Sequence, residues 1–182
     1  QEYVRTLAKS LQQHPRFAGV LDNATIDALA QSAPLHDIGK VGIPDNILLK
    51  PGKLTAEEWE IMKTHAELGA NTIALAEADA EKPVGFLKLA KEIAHHHHEK
   101  WDGSGYPGGL TGEAIPVSAR LMALADVFDA LICARVYKPA FSFEDAHRII
   151  LEGRGTHFDP DVVDAFIREF SRFQDIARTY AE

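Results

Sequence analysis

The stretch "PVSARLMALADVFDALICARVY", residues 116–137, constrains the fold more than any other. It reads as a long, mostly apolar helix, and a helix of that kind is buried. It is not a membrane span, because no run of about 18 apolar residues occurs in the chain. No alternating strand pattern of useful length accompanies it, and no internal repeat. Helical periodicity does. "EYVRTLAKSL" sets Val4, Leu7, Ala8 and Leu11 at helical spacing. "NATIDALAQSAPLHDIGK" places Ile26, Leu29, Ala30 and Ala33 on one stripe behind an N-cap at Asn23 or Thr25. Pro34 is expected to bend that helix, and Gly39 and Gly42 to end it. "LTAEEWEIMKTHAELGANTIALAEA" opens on a capping box, Thr55 with Glu58, and reads as one helix with Trp59, Met62, Leu68 and Ile73 as apolar positions. "VGFLKLAKEIAHHHH", "SFEDAHRIILEG" and "DPDVVDAFIREFSRF" complete the set, the last with Asp159 as N-cap and Pro160 at the first helical position. The fold class is therefore all-α, a single-domain helical bundle over residues 1–182, long enough to bury a core.

Charge narrows the partners. The chain carries 19 Lys and Arg against 27 Asp and Glu, a net charge of −8. A polymeric nucleic-acid binder needs a basic face, so that class is disfavoured. A small anionic substrate remains compatible if positive charge is concentrated locally. The single cysteine, Cys133, lies in an apolar stretch and reads as a small core residue, which fits a reducing, cytoplasmic setting.

Asp126 interrupts the apolar helix, with Asp129 at i+3. A carboxylate buried there is costly unless paired. Either it bridges to Arg120 or Arg135, or it binds metal. His36-Asp37 sits beside two glycines, and an HD dipeptide alone is a weak signal. His65 alone reads as a surface histidine. The run His95–His98 cannot converge on one point, because successive helix positions differ by about 100°, although two neighbours can bracket a centre. The candidates are imidazoles and carboxylates without thiolate, which suits Fe, Mn, Zn, Ni or Co. A carboxylate bridging two such ions is the usual centre for phosphate-ester hydrolysis. No Walker motif or GxGxxG loop supports a kinase or a dinucleotide-cofactor enzyme.

"HDIGK" (36–40), "IPDNILLKPGKL" (43–54), His65 followed by Gly69, "HHEKWDGSGYP" (97–107), "ADVFDAL" (125–131), "RVYK" (135–138) and "FDPDVV" (158–163) occur together and in order. The set resembles the HD-GYP family, a branch of the HD-domain metal-dependent phosphohydrolases, over nearly the whole chain. The resemblance implies a helical domain that hydrolyses cyclic di-GMP to pGpG and often on to GMP. The nucleophile would be a metal-bridging hydroxide. It implies His36, Asp37, His65, His97, His98 and Asp126 as ligands of two divalent transition-metal ions, with Asp37 bridging. The HHE of the motif selects His97 and His98, so replacing His95 or His96 should leave the metals in place. Lys40 would stand near the scissile phosphate, Arg135 and Lys138 would grip phosphate, and Tyr106 would touch substrate or a partner domain. A third ion depends on positions preceding Gln1, on a helix that this chain is expected to continue. The same resemblance implies an upstream receiver or sensory domain and diguanylate cyclase-type partners at the GYP loop. Two other readings keep the same residues. In one, the substrate is linear pGpG or another cyclic dinucleotide. In the other, the module binds cyclic di-GMP without turnover.

Overall fold

The computed structural model describes residues 1–134 and 138–180. Among these residues the regular structure is helical: α1 (Glu2–Leu11), α2 (Asn23–Ser32), α3 (Asp45–Leu48), α4 (Ala56–Lys63), α5 (His65–Asp79), α6 (Gly85–His96), α7 (Val117–Ile132), α8 (Phe143–Glu152), α9 (Pro160–Arg168) and α10 (Phe170–Tyr180). Short 3-10 turns at Ala33–Leu35 and Ile38–Gly42 carry the chain past His36 and Asp37. No helix among the described residues is long and apolar enough to cross a membrane.

The apolar stretch becomes α7, which is buried along most of its length. α1, α6, α8 and α9 pack on it. An aromatic cluster fills one end of the core: Tyr3 stacks on Phe173 at 4.8 Å, and Phe128 meets Phe166 and Phe173 edge-on at 5.6 and 5.1 Å. A second, smaller cluster holds Ile73 of α5 with Ala90 and Ala94 of α6, and Gly69 faces Ala94, so these two helices approach closely.

Several local expectations are corrected. The N-cap of α2 is Asp22, whose carboxylate accepts from the Thr25 amide at 2.7 Å; Thr25 is the capped residue, and neither it nor Asn23 is the cap. The stretch after Thr55 is two helices, broken at Thr64, although its capping box forms as read. The break turns the face, so Trp59 and Leu68 end up exposed while Ile73 is buried. The last stretch likewise splits at Glu169 into α9 and α10. Cys133 is exposed, because it follows the last turn of α7 and lies beyond the core. Asp159 caps α9 with Pro160 at its first turn, as the sequence suggests.

Candidate metal centre

Four loci converge. His36 and Asp37 come from the 3-10 turns, His65 from the first residue of α5, His97 and His98 from the end of α6, and Asp126 from the middle of α7. Asp37, His65, His97 and His98 each offer one ligand atom, and these atoms all lie within 4.8 Å of one another. His65 and His97 are buried. Asp126 and His36 form an adjoining pair, His36 Nε2 lying 3.5 Å from Asp126 Oδ1.

Backbone carbonyls set the histidine tautomers. His36 Nδ1 donates to Ala33 O at 2.8 Å, His65 Nδ1 to Met62 O at 2.7 Å, and His97 Nδ1 to Ile93 O at 2.8 Å. Each bond spends the Nδ1 proton on the preceding turn and turns Nε2 inward, the edge that a metal-binding imidazole presents. His98 Nε2 and His65 Nε2 stand 3.1 Å apart. Two nitrogens bound to one ion at about 2.0–2.1 Å would sit at a similar spacing. Asp37 Oδ1 and His97 Nε2 are buried without a hydrogen-bond partner. Such atoms are costly in a protein interior, and a cation satisfies both. The donor set therefore fits divalent transition metal.

Asp37 faces two ways. Oδ1 lies 3.5 Å from His65 Nε2 and 3.6 Å from His97 Nε2, while Oδ2 lies 3.4 Å from His36 Nε2 and 2.5 Å from the Lys40 ammonium. Burial alone would raise the Asp37 carboxyl, but the facing His36 and His97 rings and the Lys40 ammonium hold it well below the usual carboxylate range. Burial alone would lower His36; Asp126 and Asp37 outweigh it and raise the ring to about 10. His98 is pushed down to about 3, by burial first and then by His97 and His65, so it is neutral near pH 7. Asp126 is lowered by His36 against the opposing effect of burial. Its other reading, a bridge to Arg120, is not what forms. Arg120 donates instead to Asp159 Oδ2 at 2.8 Å and to the Ile115 carbonyl at 2.8 Å.

The remaining candidates are dispersed. Tyr106 stacks on His98 at 4.9 Å with the rings 19° apart, and its phenol is held protonated by burial and by Asp37 and Asp126. Lys138 is exposed, its ammonium 4.5 Å from the Phe141 ring centroid. Arg135 lies outside the described residues. Asp129 is exposed and lines a pocket with Tyr3 and Phe143, separate from the ligand group around Asp37. His95 and His96 line a different cleft, between α5 and α6, with Glu67 and Asn71.

The HD domain profile matches residues 4–162. The chain belongs to the HD domain family. The ordered motif set makes it an HD-GYP domain within that family. A "Cyclic di-GMP phosphodiesterase" of Vibrio cholerae is 58% identical over all 182 residues, which make up 37% of that protein. A "3'3'-cGAMP-specific phosphodiesterase 2" of the same organism is 44% identical over 153 residues, 84% of this chain and 28% of the relative. The chain thus spans under half the length of these curated relatives. Among solved structures, an HD-GYP-type protein from Bdellovibrio bacteriovorus matches 93% of the chain and 50% of its own, with a TM-score of 0.64 at 22% identity, which supports the fold.

Two devices of this HD-GYP domain escape a reading of motifs as ligands. The first is Glu99, 1% exposed, whose Oε1 accepts from the Gly108 amide at 2.6 Å and Oε2 from the Leu110 amide at 3.0 Å. It ties the end of α6 to the GYP loop and so seats Tyr106 on His98. The clue was a carboxylate directly after two candidate ligands. The second is Gly39. A Cβ there would stand 1.9 Å from His65 O and 2.5 Å from Gly69 N, so only glycine lets the HD turn touch the start of α5.

Proposed function

We propose that this HD-GYP domain is a metal-dependent phosphodiesterase that hydrolyses cyclic di-GMP to pGpG and onward to GMP. One observation carries the reading: Asp37 divides its oxygens between His65 with His97 on one side and His36 beside Asp126 on the other. That division suits two ions sharing one carboxylate, and the Vibrio cholerae phosphodiesterase aligned over the full chain supplies the substrate class.

His36, Asp37, His65, His97, His98 and Asp126 would hold the ions. When bound, the ions would polarise a phosphoryl oxygen and lower the pKa of a water, giving hydroxide near neutral pH. The protein's own groups do the rest. Lys40 is 40% exposed at its side chain and 2.5 Å from Asp37, so its ammonium reaches solvent where a phosphate oxygen would lie. It offsets negative charge as substrate binds. Tyr106, kept as a phenol, offers an O–H donor beside His98. Arg135 and Lys138 would grip phosphate; Arg135 suits bidentate contact and Lys138 a point charge. Together they would supply local positive charge in a chain of net −8.

The relative specific for 3'3'-cGAMP favours a second reading, the same centre acting on another cyclic dinucleotide. We also assign residues 1–182 to one catalytic domain, supported by the alignment of all 182 residues with the Vibrio relative. The test is Asp37→Ala, with metal content and turnover measured together on cyclic di-GMP, 3'3'-cGAMP and pGpG. The expected result is loss of metal and of all turnover. Full activity with metals retained would overturn the assignment. The wild-type ranking of the three compounds decides between the substrates.

A further inference from the structure

α4 buries none of its residues, yet it carries a tryptophan. Trp59 is 45% exposed, so its indole is not held by the core. Its ring meets Tyr106 edge-on, with centroids 6.1 Å apart and planes at 85°. Tyr106 in turn stacks on His98, a member of the ligand group. Trp59 therefore stands two ring contacts from the centre, about the reach of a base whose own phosphate sits there. The Lys63 ammonium, one helical turn beyond Trp59, lies 5.8 Å from the Tyr106 centroid and adds positive charge to the same rim.

We propose that Trp59 is a stacking platform for one purine of the dinucleotide, with Tyr106 beside it and Lys63 supplying cationic charge at the rim. The proposal takes its ligand from the phosphodiesterase reading above. A half-exposed indole beside a phosphate-ester centre presents the π-face that any base can use, and such stacking is tolerant of base identity. A tryptophan that only packed the GYP loop in place would influence every substrate alike. A base platform influences only substrates that carry bases.

The experiment compares Trp59→Ala and Trp59→Phe with wild type on cyclic di-GMP and on bis(p-nitrophenyl) phosphate, a phosphodiester without purines. The alanine variant should raise KM for cyclic di-GMP roughly tenfold or more, with kcat little changed, and leave the aryl substrate untouched. The phenylalanine variant should recover most of the loss. Equal effects on both substrates, or none on either, would overturn the proposal. A second readout does not need turnover. The chain has two tryptophans, and Trp101 is held between Arg16 and Arg120, 5.5 and 5.9 Å from its ring. Mixing as-purified protein with cyclic di-GMP should quench tryptophan fluorescence, and Trp59→Phe should abolish the quench. A quench that survives in Trp59→Phe, or no quench in wild type, refutes the platform. A protein that hydrolyses neither compound but quenches through Trp59 would sink the phosphodiesterase reading and keep the binding site.

Discussion

Gly39→Ala tests whether the centre depends on backbone contact rather than on its ligands alone. The added Cβ would begin 1.9 Å from the His65 carbonyl oxygen and 2.5 Å from the Gly69 nitrogen, both main-chain atoms that no rotamer change can move. Ordinary contact starts near 3.5 Å, so the HD turn and α5 must part by roughly 1.5 Å. His65 Nε2 and Asp37 Oδ1, now 3.5 Å apart, lie on opposite sides of that seam. Ligand distances in a metal site tolerate about 0.2 Å, so one ion would lose a ligand. Overpacking of this kind costs about 1–3 kcal/mol. With a urea dependence of about 2 kcal/mol per molar, the unfolding midpoint should drop by roughly 1 M. Gly85→Ala is the control, since a Cβ there meets nothing within 4 Å. The assay is bound metal per chain after anaerobic purification, with urea midpoints for both variants. A Gly39→Ala protein with wild-type metal content and an unchanged midpoint would refute the reasoning.

Glu99→Gln replaces one acceptor oxygen by an amide that faces the Gly108 or Leu110 N–H; the cost should be about 2–3 kcal/mol, with faster hydrogen exchange at both amides, and unchanged exchange would count against the clamp. Metal-free protein should lose stability as pH falls from 7 to 5. His98 is pushed down to about 3 and His157 to about 4, and His65 is lowered too, chiefly by burial in each case. Below the ordinary value of 6.5 the unfolded chain takes up protons that the folded one refuses, so His98 and His157 each contribute a slope approaching about 1.4 kcal/mol per pH unit, and His65 adds in the same direction. His36 has the opposite sign: its contribution is full below 6.5 and is lost as pH rises through about 10. Urea midpoints at pH 7, 6 and 5 check the acid limb, and His98→Asn should flatten it.

Helix positions were legible because amphipathic periodicity and caps are local. The Thr55–Glu58 box and the Asp159 cap form as read. Helix breaks were not. Nothing in residues 60–68 forbids a continuous helix; the break at Thr64 places the His65 ring where its Nδ1 can reach the Met62 carbonyl. That bond reaches only three residues back, but the demand that the ring face Asp37 and His98 is tertiary, and propensity does not register it. The same break explains why His65, which reads alone as a surface residue, is 2% exposed. Asp126 shows the reverse case. A carboxylate in an apolar helix announced that a partner must exist, but Arg120 was an equally good candidate in one dimension. Only the fold gives Arg120 to Asp159 and brings His36 to Asp126.

The histidine run joins these two lessons. Four identical side chains on one strand of sequence take two environments, because α6 ends at His96 and the chain turns there. His97, as the C-cap, still hydrogen-bonds back to Ile93 and points its Nε2 inward; His98, just beyond, swings to His65. Glu99 then locks the turn by taking two loop amides. The ligands are thus oriented by carbonyls and amides already committed to the fold. Outside the ligand group His96 Nδ1 is buried without a partner; within it, Asp37 Oδ1 and His97 Nε2 are left unsatisfied. A cation that satisfies them binds the folded state and not the unfolded one, so metal should raise stability by about 2.7 kcal/mol at a hundred times its dissociation constant. Metal loading and folding are in this way two readings of one equilibrium, which is why a glycine outside the ligand set can govern both.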